Sequence, residues 1–303
     1  MSVAELEAAQ IQLEQPTGGL WHEAWYRLTR NVGAIIGAVI VAVFAVAAIG
    51  APWIAPHDPA NDVFTVAGIL QPEPPSRDHL LGLDLQGRDV FSRIVYGARY
   101  TLMIGVVSVG IGLAIGLILG ALAGYVGGIV DSIVMRLMDV MLAVPGLLFA
   151  IGIVAMLGAS LRSIIIAVGV VNIPIFARLL RGSVLAQKEN DYVLAARSVG
   201  ASRRSILFAH ILPNAISPVI VQGTLALATA IIDVAGLGFL GLGPQDPATP
   251  EWGTMLTSVN EYLLAAPYLA IIPGVAIVVS VLGFNLIGDG LREALDPKLR
   301  GRA

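Results

Sequence analysis

The stretch Thr101–Val130 reads TLMIGVVSVGIGLAIGLILGALAGYVGGIV, thirty residues without one charge. A chain crosses the roughly 30 Å hydrocarbon layer of a bilayer with about 20 apolar residues, because a helix pairs its backbone polar groups internally. Five further uncharged runs flank it: Val32–Ala51, Val140–Leu161, Ser163–Ala177, Ile211–Ile232 and Tyr262–Gly288. Ser163–Ala177 is short, and reaches full length only if Arg178 and Arg181 extend to the headgroups. The run at Ile211 is expected to continue past Asp233 towards Gly243. Strands of a barrel would alternate with period two over about ten residues, and these runs do not. The expected fold is all-α and transmembrane, a six-span helical bundle.

Composition agrees. Hydrophobic residues make up 56% and charged residues 13% of the chain, against about 25% charged in soluble domains. Mean hydropathy is +0.83. So little charge cannot solvate a globular surface, so membrane lipid is an expected partner. The net charge of −3 is segregated along the chain, and no nucleic-acid partner is expected. Without cysteine there are no disulfides, thiolate metal sites or cysteine nucleophiles. Glu5, Glu7 and Glu14 stand where a cleavable signal has a basic region, so the first apolar run is expected to stay as an anchor.

Orientation follows from Lys and Arg in the short loops. With the N-terminus inside, the inner side holds Arg27, Arg30, Arg136, Arg178, Arg181, Lys188, Arg197, Arg203, Arg204, Arg292, Lys298, Arg300 and Arg302. The outer side holds Arg77, Arg88, Arg93, Arg99 and Arg162, a ratio of thirteen to five. Both termini are expected in the cytoplasm of a multi-pass protein. The outer cluster Arg88, Arg93 and Arg99 dissents, though Asp78, Asp84 and Asp89 offset it. Leu20–Arg30, with Trp21, Trp25 and Tyr26 beside Arg27 and Arg30, suits an interfacial helix or a simple aromatic belt. Pro52–Arg99 holds six prolines and reads as an external loop or small subdomain.

Enzymatic signatures are missing. There is no G-x-x-x-x-G-K-S/T phosphate loop, since the only lysines, Lys188 and Lys298, follow Gln187 and Pro297. ATP hydrolysis by this chain is not expected. His22, His57, His79 and His210 lack helical metal-ligand spacing, and no G-x-S-x-G turn is present. The chain is expected to be no enzyme, with no catalytic residue, no metal and no cofactor of its own.

The longest inner loop runs Asp191-Tyr192-Val193-Leu194-Ala195-Ala196-Arg197-Ser198-Val199-Gly200-Ala201-Ser202-Arg203 and on to Ile211-Leu212-Pro213-Asn214. It resembles the coupling loop of binding-protein-dependent ABC importer permeases: E-A-A, three residues, G, then nine residues before I-x-L-P. Ala195, Ala196, Gly200, Leu212 and Pro213 fall in register, with Leu194 for the Glu and His210 for the Ile. The stretch His79–Arg93, containing Gly87, Arg88 and Asp89, is similar to the H-x-L-G-T-D-x-x-G-R-D-V-x-S-R signature of the peptide and nickel branch, with Leu83 for the Thr. Gly238–Gly243 and Glu251-Trp252-Gly253 resemble its S-F-L-G-L-G and W-G, and Asn285 to Pro297, containing Asp289, its ending.

The chain is thus identified as a C-type permease of the dipeptide, oligopeptide or nickel branch. The resemblance implies a type I ABC importer permease fold with an external subdomain after the first span. Its implied parts are a segment 1–31, a first helix 32–51, an external loop 52–100, a core 101–290 with coupling loop 186–213, and a tail 291–303. It implies a homologous second permease, two ABC ATPase subunits carrying ATP and Mg, and an external solute-binding protein, in a bacterial inner membrane. In that family the coupling loop docks in a cleft of the ATPase. Two alanines permit close approach, Gly200 a sharp turn, and Pro213 a return to the membrane.

Asp233 is the one acid well inside an apolar stretch. It lines a pathway, or makes an inter-helix hydrogen bond or cap near Gly236–Gly243. An ion-coupled secondary transporter using Asp233 is the alternative function, and a membrane scaffold a third. Asn172 beside Pro174 suits a packed kink, while Asn285 and Asp289 sit at the inner end of the last span, Asp289 solvated or paired with Arg292. Gly105, Gly112, Gly116, Gly120 and Gly124 suit close helix packing. Peptide and nickel chelate remain open as cargo.

Overall fold

The computed structural model describes residues 20–65, 71–246, 249–257, 259 and 262–295. The expectations for Glu5, Glu7 and Glu14, and for the tail from Asp296 with Lys298, Arg300 and Arg302, lie outside these residues. A short helix α1 (Leu20–Leu28) precedes α2 (Val32–Ile54), and Asn31 between them caps α2 by accepting from the Ala34 N–H at 2.9 Å. Trp25 and Tyr26 are exposed, and the Arg30 guanidinium lies 4.0 Å over the Tyr26 ring. The outward face of α2 is Val39, Val43, Val46 and Ile49, a surface suited to lipid.

The helix α3 (Val90–Val126) begins eleven residues before the uncharged run and stops four before its end. Asp89 sets the start: its Oδ2 accepts from the Ser92 N–H and hydroxyl, both at 2.7 Å. The expected loop 52–100 therefore gives its last eleven residues to α3. Arg88 and Arg93 do not face water: their Nε atoms lie 2.8 and 3.3 Å from Asp84 Oδ2. The glycines Gly127 and Gly128, with φ of 72° and 58°, end the helix, because only glycine takes such angles without strain.

Next come α4 (Gly128–Leu142) and α5 (Gly146–Leu157), bent by 89° across the break before Gly146. The third uncharged run is thus not one straight helix; Pro145, lacking an N–H, starts a new one. The helix α6 (Leu161–Lys188) passes through Pro174 and is far longer than its uncharged part. Arg178 and Arg181, expected to reach for headgroups, instead pair with α4. Arg181 grips Asp131 with two bonds of 2.5 and 2.6 Å, and Arg178 contacts Asp139. Pairing spares a charge near lipid the cost of standing alone.

A hairpin follows: α7 (Asp191–Ser198), a turn, then Arg203–Ser205, a wide-turned Ile206–Ile211 and Leu212–Ala215. Next are α8 (Ser217–Leu237), which continues past Asp233 into a wide turn Gly238–Leu242, and α9 (Tyr268–Leu295). The last two spans thus start at Ser217 and Tyr268 rather than at Ile211 and Tyr262. Among the described residues, α2, α3, α6, α8 and α9 are each long and apolar enough to cross a membrane, and the bent α4–α5 pair makes a sixth. The only extended pairings there are isolated bridges at Val63–Arg88, Glu73–Leu83 and Leu83–Asp89.

The bundle is built on α3 against α6. Gly112, Gly116, Gly120 and Gly124 form a seam in which a Cβ on Gly120 would lie 2.4 Å from the Ala177 carbonyl oxygen. Bare backbone on one helix lets the other approach closely, the usual means of helix association in lipid. At the end of the bundle away from the hairpin, Trp252 is fully buried, seats on Gly97 and donates from Nε1 to the Ile94 carbonyl at 3.0 Å. The segment before α3 wraps Tyr268, whose hydroxyl lies 2.7 and 2.8 Å from the carbonyl oxygens of Glu73 and Leu83.

Candidate functional site

The hairpin after α6 projects from the spans at the end where α3 stops. Asn190 precedes α7, and Asp191 lies in its first turn, where an acid suits the positive end of the helix. Val193 is fully buried and Ala196 is 9% exposed, both packed into the cluster of Ile206 and Ile211. Ala195 faces out. The adjacent alanines thus do different things: Ala196 seats α7 on its own chain, and only Ala195 is free for a partner. Gly200 has φ of +77°, as a sharp turn requires, and no atom lies within 4 Å of where its Cβ would be. Its constraint is backbone angle, not space. Ala201 is half-buried against the core cluster, and Ser202 caps the next helical stretch by accepting from the Ser205 N–H at 3.2 Å.

The outer surface of the hairpin presents Tyr192 (38% exposed), Leu194 (48%), Val199 (84%) and Phe208 (66%), with Arg197 and Arg203 beside them. Val199 and Phe208 were not singled out from sequence, because the loop holds many apolar residues and nothing local tells its exposed ones from its buried ones. Tyr192 is held by its hydroxyl, 2.6 Å from Gln187 Oε1. Lys188 donates to the Gly124 and Tyr125 carbonyls at 3.1 Å each, and the Tyr125 hydroxyl donates to the Arg203 carbonyl at 2.7 Å. These bonds lock the hairpin to the end of α3. Behind them lies a cleft of about 610 Å³ lined by Tyr125, Lys188, Arg197 and Arg203.

The stretch 116–301 matches the family described as binding-protein-dependent transport system inner membrane component. Residues 19–74 match the N-terminal transmembrane domain of oligopeptide transport permease C. The chain belongs to this permease family. Over 281 residues it is 49% identical to the glutathione transport system permease protein GsiD of Shigella flexneri serotype 5b (strain 8401), covering 93% of this chain and 91% of that one. The GsiD of Escherichia coli O157:H7 is 48% identical over the same share of each chain. Two inward-facing structures of the MetNI methionine ABC transporter share the fold, with TM-scores of 0.55 and 0.56 at 21% identity, covering 67–68% of this chain and 96–98% of theirs. The chain is a permease subunit of an ABC importer with the type I fold, a multi-pass inner-membrane protein and not itself an enzyme. Membership sets aside the ion-coupled and scaffold alternatives.

The other residues singled out from sequence fall apart in space. Gly87, with φ of 71°, Arg88 and Asp89 build the turn that caps α3, and Trp252 pins the loop before α9. These signature residues are structural. Asn172 is buried, donates to the Val168 carbonyl at 2.8 Å, and lies against Gly112 in the α3–α6 seam. Asn285 is half-buried, while Asp289 is exposed and forms no pair with Arg292. Asp233 is half-buried on the same face of α8 as exposed Thr229 and Ile232. Among the described residues it has no hydrogen-bond or ionic partner, so the inter-helix bond or cap expected for it is not made within this chain.

Proposed function

We propose that the chain forms half of the translocation path for small peptides, with glutathione-sized tripeptides the first candidates, since the GsiD proteins it resembles are named for glutathione transport. A homologous second permease supplies the other half, an external binding protein delivers the solute, and two ATPase subunits carry ATP and Mg. Both termini lie in the cytoplasm, as the thirteen-to-five charge bias favours. The hairpin Asp191–Ala215 docks on an ATPase subunit.

One observation carries the coupling role. Tyr192, Leu194, Val199 and Phe208 make an exposed apolar knuckle on a hairpin whose buried side is rigidly seated. Such a patch marks a protein contact, and a seated one transmits force to the spans behind it. The test is reconstitution of the full complex in proteoliposomes with internal ATP, measuring uptake of labelled glutathione, a dipeptide and a nickel chelate. Peptide uptake that requires ATP and the binding protein supports the proposal; nickel-chelate uptake alone, or uptake without ATP, overturns it.

A further inference from the structure

The segment leading to α3 brings together three side chains that the transport role does not use. One donor atom each from His57, His79 and Asp89 lies within 4.8 Å of the others. His79 is 8% and Asp89 1% exposed, and His57 is half-buried. His79 Nδ1 lies 3.2 Å from Asp89 Oδ1, and the two imidazole centroids are 5.4 Å apart. Around a tetrahedral ion with bonds of about 2.0–2.1 Å, neighbouring donors lie about 3.3 Å apart and imidazole centroids about 5 Å apart. These two separations match, and the His57 donor lies within 4.8 Å of the other two.

The surroundings are those of a prepared site. Asp89 Oδ2 is taken by the Ser92 N–H and hydroxyl, which leaves Oδ1 towards the histidines. The Ser92 hydroxyl oxygen also accepts from the His57 backbone N–H at 3.2 Å, so one serine fixes two of the three donors. Such outer contacts orient ligands. Phe64 packs on both rings, at 4.9 Å from His57 and 4.5 Å from His79. A plain His79–Asp89 hydrogen bond explains those two residues, and aromatic stacking with a 3.9 Å approach of Nδ1 to Asp62 Oδ2 places His57. Neither requires a second imidazole to converge on the carboxylate.

We propose that His57, His79 and Asp89 bind a divalent transition-metal ion of the zinc type, with water in the fourth position. Two imidazoles and one carboxylate suit zinc and its neighbours, whereas magnesium and calcium take oxygen ligands. The ion is structural rather than cargo: it ties the segment at His57 and the turn at His79 to the residue that caps α3.

The test uses the assembled complex, purified without a histidine tag and stripped with chelator, titrated with Zn²⁺ and with Co²⁺. The wild type is expected to bind about one more equivalent of metal than His57→Gln, to show visible Co²⁺ bands, and to gain thermal stability on adding Zn²⁺. His57→Gln and His57→Phe, the latter keeping the stack on Phe64, should lose the equivalent, the bands and the gain while the complex stays assembled. Asp89→Asn keeps a capping oxygen and should weaken binding without loss of assembly. Absence of saturable binding in the wild type, or full binding in both His57 variants, overturns the proposal.

Discussion

Ala195 and Ala196 separate docking from seating, because successive residues of α7 point about 100° apart, one outward and one into the core. Ala196 is 9% exposed and lies among Val193, Ile206 and Ile211. A tryptophan there overpacks a filled contact, which costs about 1–3 kcal/mol. Ala195 is exposed, and tryptophan there should change the stability of the isolated permease by no more than about 0.5 kcal/mol. Against a partner the order reverses. Ala195→Trp adds bulk to the docking surface and should strip the ATPases from a stable permease pair, or leave ATP hydrolysis unresponsive to the loaded binding protein. Ala196→Trp should lower the melting temperature of the permease even with no ATPase present. The assay is thermal unfolding in detergent, then co-purification and stimulated ATPase activity in reconstituted membranes. Normal ATPase stoichiometry and stimulation in Ala195→Trp would refute the docking assignment. Normal stability in Ala196→Trp would refute the seating.

Four further outcomes are expected. In this cysteine-free chain, cysteines at Ser76 and Thr249 should react with an impermeant thiol reagent from outside and one at Ser202 only from inside; outside labelling of Ser202 in sealed cells reverses the topology. Gly120→Val should lower stability, because its Cβ would meet the Ala177 carbonyl at 2.4 Å, while Gly110→Val, with open space around it, is tolerated; equal melting temperatures would discredit the seam. Burial pushes the Glu251 carboxyl up to about 7, against the N–H groups of Gly253 and Thr254 and the Thr101 hydroxyl, from an ordinary 4.5. The folded state then keeps a proton that the unfolded chain has lost, so stability is fully present below about pH 4.5 and falls on the order of 3 kcal/mol as pH rises through 7; a flat melting profile from pH 5 to 8 contradicts this. Asp233→Leu should leave the isolated permease as stable as before, since no bond within the chain is lost, and a drop seen only in the assembled pair identifies a partner group on the second permease.

The class of fold was legible because backbone physics in lipid leaves one solution for long uncharged runs, and the seam because glycine every four residues makes one bare helix face. What was not legible is long-range. Arg178 and Arg181 look like the end of a short span, since the acids that pair with them sit 39 and 50 residues earlier on α4. The start of α3 at Val90 was hidden because Arg93 and Arg99 read as loop, although Arg93 is buried against Asp84. The bend before α5 left no trace in apolarity; Pro145 was the sole local sign. The coupling hairpin was found by pattern, but a pattern cannot say which of two adjacent alanines faces inward.

The contacts also decide how a push on the hairpin travels. Ala196 and Val193 pack its first helix on Ile206 and Ile211 of its second half, and Lys188 just before it and Arg203 near its middle join it to the last turn of α3. From there the glycine seam binds α3 to α6 through Gly124, Gly120, Gly116 and Gly112, whose bare backbone lies against the α6 backbone and the side chains of Asn172, Phe176 and Val184. At the far end of α3, Trp252 on Gly97 and the Thr101–Glu251 contact bind the loop before α9 to the same helix. On the proposed docking of the hairpin, a displacement at Val199 or Phe208 is expected to move α3 and α6 together and to carry the Glu251–Trp252 loop with them. The α4–α5 pair is tied to α6 by the Asp131 and Asp139 ion pairs and by packing of Met138 on Ile173 and Ala177. Across its 89° break, Ala150 and Val154 of α5 pack in the same buried cluster as Ile164, Ala167 and Val168 of α6. Close glycine packing along α3–α6 suits a single body that a contact at either end of the bundle can bias.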